Sequence, residues 1–202
     1  MVAIVDYGVG NLFSLKSSLE SIGAPAFVTS DEKEIRNADK IILPGVGAFG
    51  DAADKLRKTG LDRVVVSEAE KGKPIMGICL GMQMLFEKSF EYGEHKGLGL
   101  IKGEIRSISE VIPDNLKIPH IGWNALDFVG EKSRIFKYIN NGDFVYFVHS
   151  FYGAKCDDVI AVSEYGAPLT AAVERGNVFG CQFHPEKSGE VGLNILKAFC
   201  EL

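Results

Sequence analysis

Along the first half of the chain, short apolar runs alternate with stretches in which hydrophobic residues recur every three or four positions. Val2 to Val5, Ala26 to Thr29, Lys40 to Leu43 and Pro74 to Ile78 read as buried strands, while Leu12 to Ile22, Glu32 to Asn37 and Phe49 to Lys71 carry helical spacing with charges on the outer positions. Strands this continuously apolar need cover on both faces, and their alternation with helices predicts a parallel sheet with helices on either side. Beyond the midpoint the pattern changes. Runs at Gly103 to Ile108, His120 to Phe128, Phe144 to His149, Val159 to Ser163, Leu169 to Glu174 and Asn177 to Phe183 are separated by turn pairs such as Asn141-Gly142 and Gly176-Asn177. That spacing predicts hairpins and mixed or antiparallel additions to the central sheet. Val191 to Leu202 is predicted to close the chain as a helix, and the turn-rich stretch Glu87 to Gly97 to form a long loop. With no repeat, low-complexity tract or linker, a single α/β domain over residues 1–202 is expected.

Composition narrows the class. A chain of 202 residues with 46% hydrophobic and 24% charged side chains is long and apolar enough for one substantial core. Its 22 basic and 27 acidic residues give a net charge of -5, with no basic cluster of the kind that tracks a phosphate backbone, so nucleic acid is not an expected partner. Met1 to Asp6 is too short for a signal sequence or a membrane span and lacks a basic flank, which points to the cytoplasm and away from a membrane. The four cysteines, Cys79, Cys156, Cys181 and Cys200, show no CxxC spacing and no companion histidines. Free thiols are expected, with neither metal nor organic cofactor implied.

One cysteine stands apart. Gly77-Ile-Cys-Leu-Gly81 sets Cys79 between glycines where the strand ending at Ile78 gives way to the helical pattern Met82 to Phe86, the arrangement of a nucleophile elbow with cysteine in place of serine. Such a turn lifts the sulfur clear of the sheet, and the following helix N-terminus favours thiolate. The same pentapeptide could also mark only a close helix-strand contact around a packed thiol. Phe183-His-Pro-Glu186 tips the balance: it follows an apolar run, so His184 lies at a strand end with Glu186 placed to orient and charge its imidazole. Cys79, His184 and Glu186 thus form a candidate triad. Attack by the thiolate on an acyl carbon creates an oxyanion, for which the Leu80 N-H is one donor. The loop Pro44-Gly-Val-Gly47 can present a second, from Val46 or Gly47.

These elements carry a family resemblance. Gly77-Ile-Cys-Leu-Gly-Met-Gln83 together with Phe183-His-Pro-Glu186 resembles the class I, triad-type glutamine amidotransferases along essentially the whole chain. Within that class, Asp6-Tyr-Gly-Val-Gly-Asn-Leu12, Pro44-Gly-Val-Gly-Ala-Phe-Gly50, Pro119-His-Ile-Gly-Trp-Asn124, Tyr146-Phe-Val-His-Ser150 and Glu186-Lys-Ser188 are similar to the glutaminase subunits of imidazole glycerol phosphate synthases. The resemblance implies a flavodoxin-like open sheet and hydrolysis of L-glutamine to glutamate and ammonia through a γ-glutamyl thioester on Cys79. It implies an oxyanion hole from Leu80 and a flipped Val46-Gly47 peptide, with Gln83, Glu91, Tyr146, His149 and Ser150 around the amino acid part of glutamine. Phe151 is assigned no contact. The implied partner is a (β/α)8 barrel cyclase subunit that uses the ammonia in histidine biosynthesis to make imidazole glycerol phosphate and aminoimidazole carboxamide ribonucleotide. Asn11, Pro119, Trp123 and Lys187 match positions at the contact between the two subunits. Two readings compete: a triad amidotransferase serving another acceptor, and a noncatalytic flavodoxin-like protein in which Cys79 is a sensor or an inert thiol.

Overall fold

The computed structural model describes residues 1–202. Its first half runs β1 (Val2–Val5), α1 (Leu12–Ser21), β2 (Ala26–Thr29), α2 (Glu32–Asn37), β3 (Lys40–Leu43), α3 (Phe49–Thr59), α4 (Leu61–Glu70), β4 (Ile75–Ile78) and α5 (Leu80–Leu85). The second half adds β5 (Phe86–Ser89), β6 (His95–Lys96), β7 (Ile101–Ser107), β8 (His120–Ala125), β9 (Asp127–Phe128) and β10 (Phe144–His149). It closes with β11 (Phe151–Ala154), β12 (Val159–Glu164), β13 (Pro168–Arg175), β14 (Val178–Cys181) and α6 (Gly189–Cys200). No helix is long and apolar enough to cross a membrane.

The central sheet has eight strands in the order β2-β1-β3-β4-β14-β13-β12-β9. Neighbours from β2 through β14 run parallel, and those from β14 to β9 antiparallel. The parallel part has the order of a flavodoxin-like sheet. Because side chains alternate across a strand, Val2 and Ile4 of β1 enter one core with Leu15 and Leu19 of α1 and Ile195, Leu196 and Phe199 of α6. Val5 instead joins a second core with Ile41, Leu43 and the α3 and α4 faces. Helix α3 shows how the spacing works: Phe49, Ala52, Ala53 and Leu56 are all buried, on one stripe of the helix.

Register is what brings the chemistry together. β14 pairs with β4 in parallel, Cys181 opposite Ile78, and the Cys79 N-H donates to the Cys181 carbonyl at 2.7 Å. Residues just past the ends of both strands therefore emerge side by side at the carboxyl edge, Cys79 from one and His184 from the other.

Three expectations are corrected. The helix expected over Phe49 to Lys71 is two helices, broken where Gly60 adopts φ 74°, a left-handed conformation that favours glycine and ends the first helix. The stretch Glu87 to Gly97 is not an unstructured loop, since β5 and β6 pair within it. The added strands do not all extend the central sheet: β8 and β10 form a separate ribbon, and β11, β7, β5 and β6 a four-stranded sheet.

The close approach of β3 to α5 leaves no room for a methyl group at position 81, where an added Cβ would meet the Leu43 carbonyl oxygen at 1.8 Å. Gly81→Ala is expected to cost about 3 kcal/mol of stability, read as a lowered midpoint in denaturant unfolding; an unchanged midpoint would mean that the contact relaxes freely.

Candidate active site

Cys79 occupies the turn between β4 and α5 with φ 53° and ψ -113°. Few non-glycine residues hold such a backbone, and strain of this kind persists where the surroundings over-determine it. Here they do. Gly77 packs against the backbone of Gly81 and Met82, and Gly81 against Leu43, with contacts that an added Cβ would violate in both cases. Cys79 is 8% exposed and lines a cleft of about 330 Å³. Gln182 Nε2 approaches the sulfur at 3.8 Å.

His184 lines the same cleft as the thiol, and its Nδ1 is hydrogen-bonded to Glu186 Oε1 at 2.8 Å. Its backbone is fixed as firmly. The His184 N-H donates to the Tyr146 carbonyl at 3.0 Å, and its carbonyl accepts from Ser188 Oγ at 2.6 Å. Burial by itself would lower the imidazole pKa, yet the neighbouring Cys79 and Glu186 side chains outweigh it and hold the group up at about 9. Glu186 Oε2 is buried without a partner, so the carboxylate directs its one strong bond at the imidazole. The set is that of a nucleophile, an acid-base group and the anion that orients it.

Of the residues singled out from the sequence, Val46, Gly47, Leu80, Gln83, Glu91, Pro119, His149, Ser150 and His184 line the cleft with Cys79. Leu80 opens α5, where an N-H has no intrahelical partner. Gln83 Nε2 donates to the Phe151 carbonyl at 3.1 Å and to Gln182 Oε1 at 3.0 Å. Glu91 accepts the Phe49 N-H at the start of α3 at 2.7 Å, and burial raises its pKa. His149 Nδ1 donates to the Phe151 carbonyl at 2.9 Å, which leaves Nε2 to accept from His120 Nδ1 at 3.1 Å. Burial, with nearby His120 and His184, brings the His149 pKa down to about 4, so this ring is neutral. Tyr146 is not among the lining residues: its ring meets Trp123 edge-on with centroids 6.0 Å apart, and it serves the site through the carbonyl that holds His184. Asn11, Trp123 and Lys187 also stand outside the lining.

Three lining residues escaped the sequence reading: Tyr92, Val148 and Phe151. Phe151 supplies a carbonyl that fastens both Gln83 and His149, a backbone role that no side-chain motif announces. Tyr92 is 89% exposed at the mouth, with φ 53°. Nowhere do three or more His, Cys, Asp or Glu side chains gather so as to hold a metal ion.

The family model for class-I glutamine amidotransferases matches residues 3–201. The imidazole glycerol phosphate synthase subunit HisH of Caldanaerobacter subterraneus subsp. tengcongensis is 52% identical over 204 residues, covering 100% of this chain and 98% of the relative. The HisH subunit of Oceanobacillus iheyensis is 48% identical, covering 100% and 99%. Among solved structures, a glutamine amidotransferase superposes with a TM-score of 0.75 at 19% identity, over 98% of this chain and 99% of that one. PurLQS from Thermotoga maritima superposes with a TM-score of 0.75 at 24% identity, over 99% and 97%. At such identities these two likenesses speak for the fold.

The His184 titration makes stability depend on pH. Its pKa of about 9 lies above the ordinary 6.5, so the fold binds the proton more tightly than the unfolded chain does. The resulting stabilisation is complete below about pH 6.5 and is lost as pH rises through about 9. Glu186→Gln removes part of that effect. The gap in unfolding free energy between wild type and variant should therefore be widest near about pH 6 and narrow towards about pH 10; denaturant titrations at both pH values check it, and a gap independent of pH counts against the pairing.

Proposed function

This chain belongs to the class-I glutamine amidotransferase family, within the imidazole glycerol phosphate synthase HisH subunits, and on that premise we propose how its residues carry out glutamine hydrolysis and where the ammonia goes. Residues 1–202 act as one glutaminase domain. The observation that carries the reading is the convergence of Cys79 with the His184-Glu186 pair at the ends of two adjacent parallel strands.

The Cys79 thiolate attacks the γ-carboxamide carbon of L-glutamine, forming the C-S bond while the carbonyl electrons move onto oxygen. Leu80 N-H and an N-H from the Val46-Gly47 peptide receive that oxyanion. Protonated His184 then gives its proton to the amide nitrogen, the C-N bond breaks, and ammonia leaves a γ-glutamyl thioester on Cys79. Now neutral, His184 takes a proton from water as it attacks the thioester, and collapse of the second oxyanion returns the thiolate and releases glutamate. Glu186 keeps the imidazole aligned through both transfers. Gln83, Glu91, His149 and Ser150 surround the amino acid end, and Glu91 is the carboxylate placed to meet its ammonium.

The ammonia passes to a (β/α)8 barrel cyclase subunit in a heterodimer, which uses it in the cytoplasm to make imidazole glycerol phosphate and aminoimidazole carboxamide ribonucleotide for histidine biosynthesis. The docking face holds Asn11, Pro119, Trp123 and Lys187. Trp123 is 55% exposed and Ile121 58%, apolar area beside the cleft that suits a protein partner.

Glutamate release is the test. Addition of the barrel cyclase and its nucleotide ligand is expected to raise the rate roughly 100- to 1000-fold, the worth of an oxyanion donor brought into place. High turnover by the chain alone would refute this coupling. Cys79→Ala should abolish release, by at least roughly 1000-fold, with the complex still forming. Trp123→Ala should weaken association with the barrel by roughly 30-fold, measured by calorimetric titration; unchanged affinity would move the contact elsewhere.

A further inference from the structure

The glycine-rich loop between β3 and α3 is hydrogen-bonded at its two ends, while the N-H groups between them are free. At its start, the Tyr7 hydroxyl donates to the Pro44 carbonyl at 2.6 Å. At its end, the Phe49 N-H donates to Glu91 at 2.7 Å. The N-H groups of Gly45, Val46, Gly47 and Ala48 make no hydrogen bond within the chain. Tyr7 is 4% exposed. Its hydroxyl also reaches the point where loop and nucleophile turn touch: a Cβ at Gly45 would lie 2.9 Å from that oxygen and 2.8 Å from the Gly81 N atom.

We infer that Tyr7 is a positioning residue for the reaction: its hydroxyl pins the upstream end of the loop against the Cys79 turn, so that any peptide reorientation is confined to Gly45–Ala48 and the oxyanion donor is delivered at a fixed height above the sulfur. This deepens the glutaminase reading and rests on it. The physical ground is pre-organisation. A donor stabilises the developing charge fully only if the segment presenting it does not drift, and a loop of small, unbonded residues has little else to hold it. The backbone of Gly10 and of Gly81 packs close to Pro44 as well, but the Tyr7 hydroxyl is the side-chain group that bonds its carbonyl. Burial, then the nearby Cys79 charge, raise the Tyr7 pKa well above its ordinary value, so the hydroxyl keeps its proton and remains a donor at any working pH. Because Tyr7 lies outside the cleft lining, its loss should act on the transition state and not on binding of glutamine.

Tyr7→Phe removes only the hydroxyl. With the barrel cyclase and nucleotide ligand saturating, kcat for glutamate release is expected to fall roughly tenfold, about the worth of one buried hydrogen bond, while KM for glutamine stays within about twofold. A change carried by KM, or no change, overturns the inference. Silence of the wild-type chain under the same conditions overturns the functional reading, and this one with it. Hydrogen exchange on the complex is a second check that does not read activity: the Gly45 to Ala48 amides should exchange faster in Tyr7→Phe than in the wild type, and equal exchange would overturn the inference.

Discussion

An added Cβ at Gly81 would lie 1.8 Å from the Leu43 oxygen, and one at Gly77 would lie 2.6 Å from the Gly81 oxygen. The end of β3, the end of β4 and the first turn of α5 are packed against one another at backbone distance, and this mutual exclusion of side chains holds Cys79 at φ 53°. Everything chemical depends on it. The turn keeps its shape because its neighbours leave it nowhere else to go, and Val46 and Gly47 line the cleft with Cys79 because the same packing draws β3 onto α5. Gly180 extends the arrangement sideways, since a side chain there would collide with Met82 and Val173, and so lets β14 bring His184 alongside.

Two histidines at the cleft show how surroundings assign roles to the same side chain. Both are buried, which disfavours the charged imidazole. At His184 the Cys79 and Glu186 side chains reverse that tendency and the pKa is held at about 9. At His149 the ring finds only a carbonyl on one nitrogen and another imidazole on the other, and the pKa drops to about 4. One ring is held charged by its neighbours, the other is a neutral wall whose tautomer is set by the Phe151 carbonyl.

The alternation of strands and helices was legible because buried parallel strands are uniformly apolar and the helices between them are not, and Cys79, His184 and Glu186 were legible because glycine and proline punctuate the ends of their strands. What resisted reading was contributed by backbone or by distant pairing. Phe151 lines the cleft and fastens Gln83 through a carbonyl, which leaves no mark on residue type. Gly60 breaks a helix whose apolar spacing continues across it. β5 pairs with β7, a strand reached only after a turn-rich segment, and such non-local pairing has no local signature. Tyr146 sits in a motif shared with His149 and Ser150 yet turns to Trp123 on the neighbouring strand, in register opposite it.

The remaining cysteines carry a consequence for handling the molecule. Burial pushes the thiols of Cys156 and Cys200 up to about 11 and that of Cys181 higher still, so at neutral pH all three stay protonated and poor nucleophiles. A soft electrophile added in limiting amount should therefore spare these three thiols. What is taken up would then report on the cleft cysteine, and the equivalents bound would count the molecules in a preparation whose Cys79 is intact.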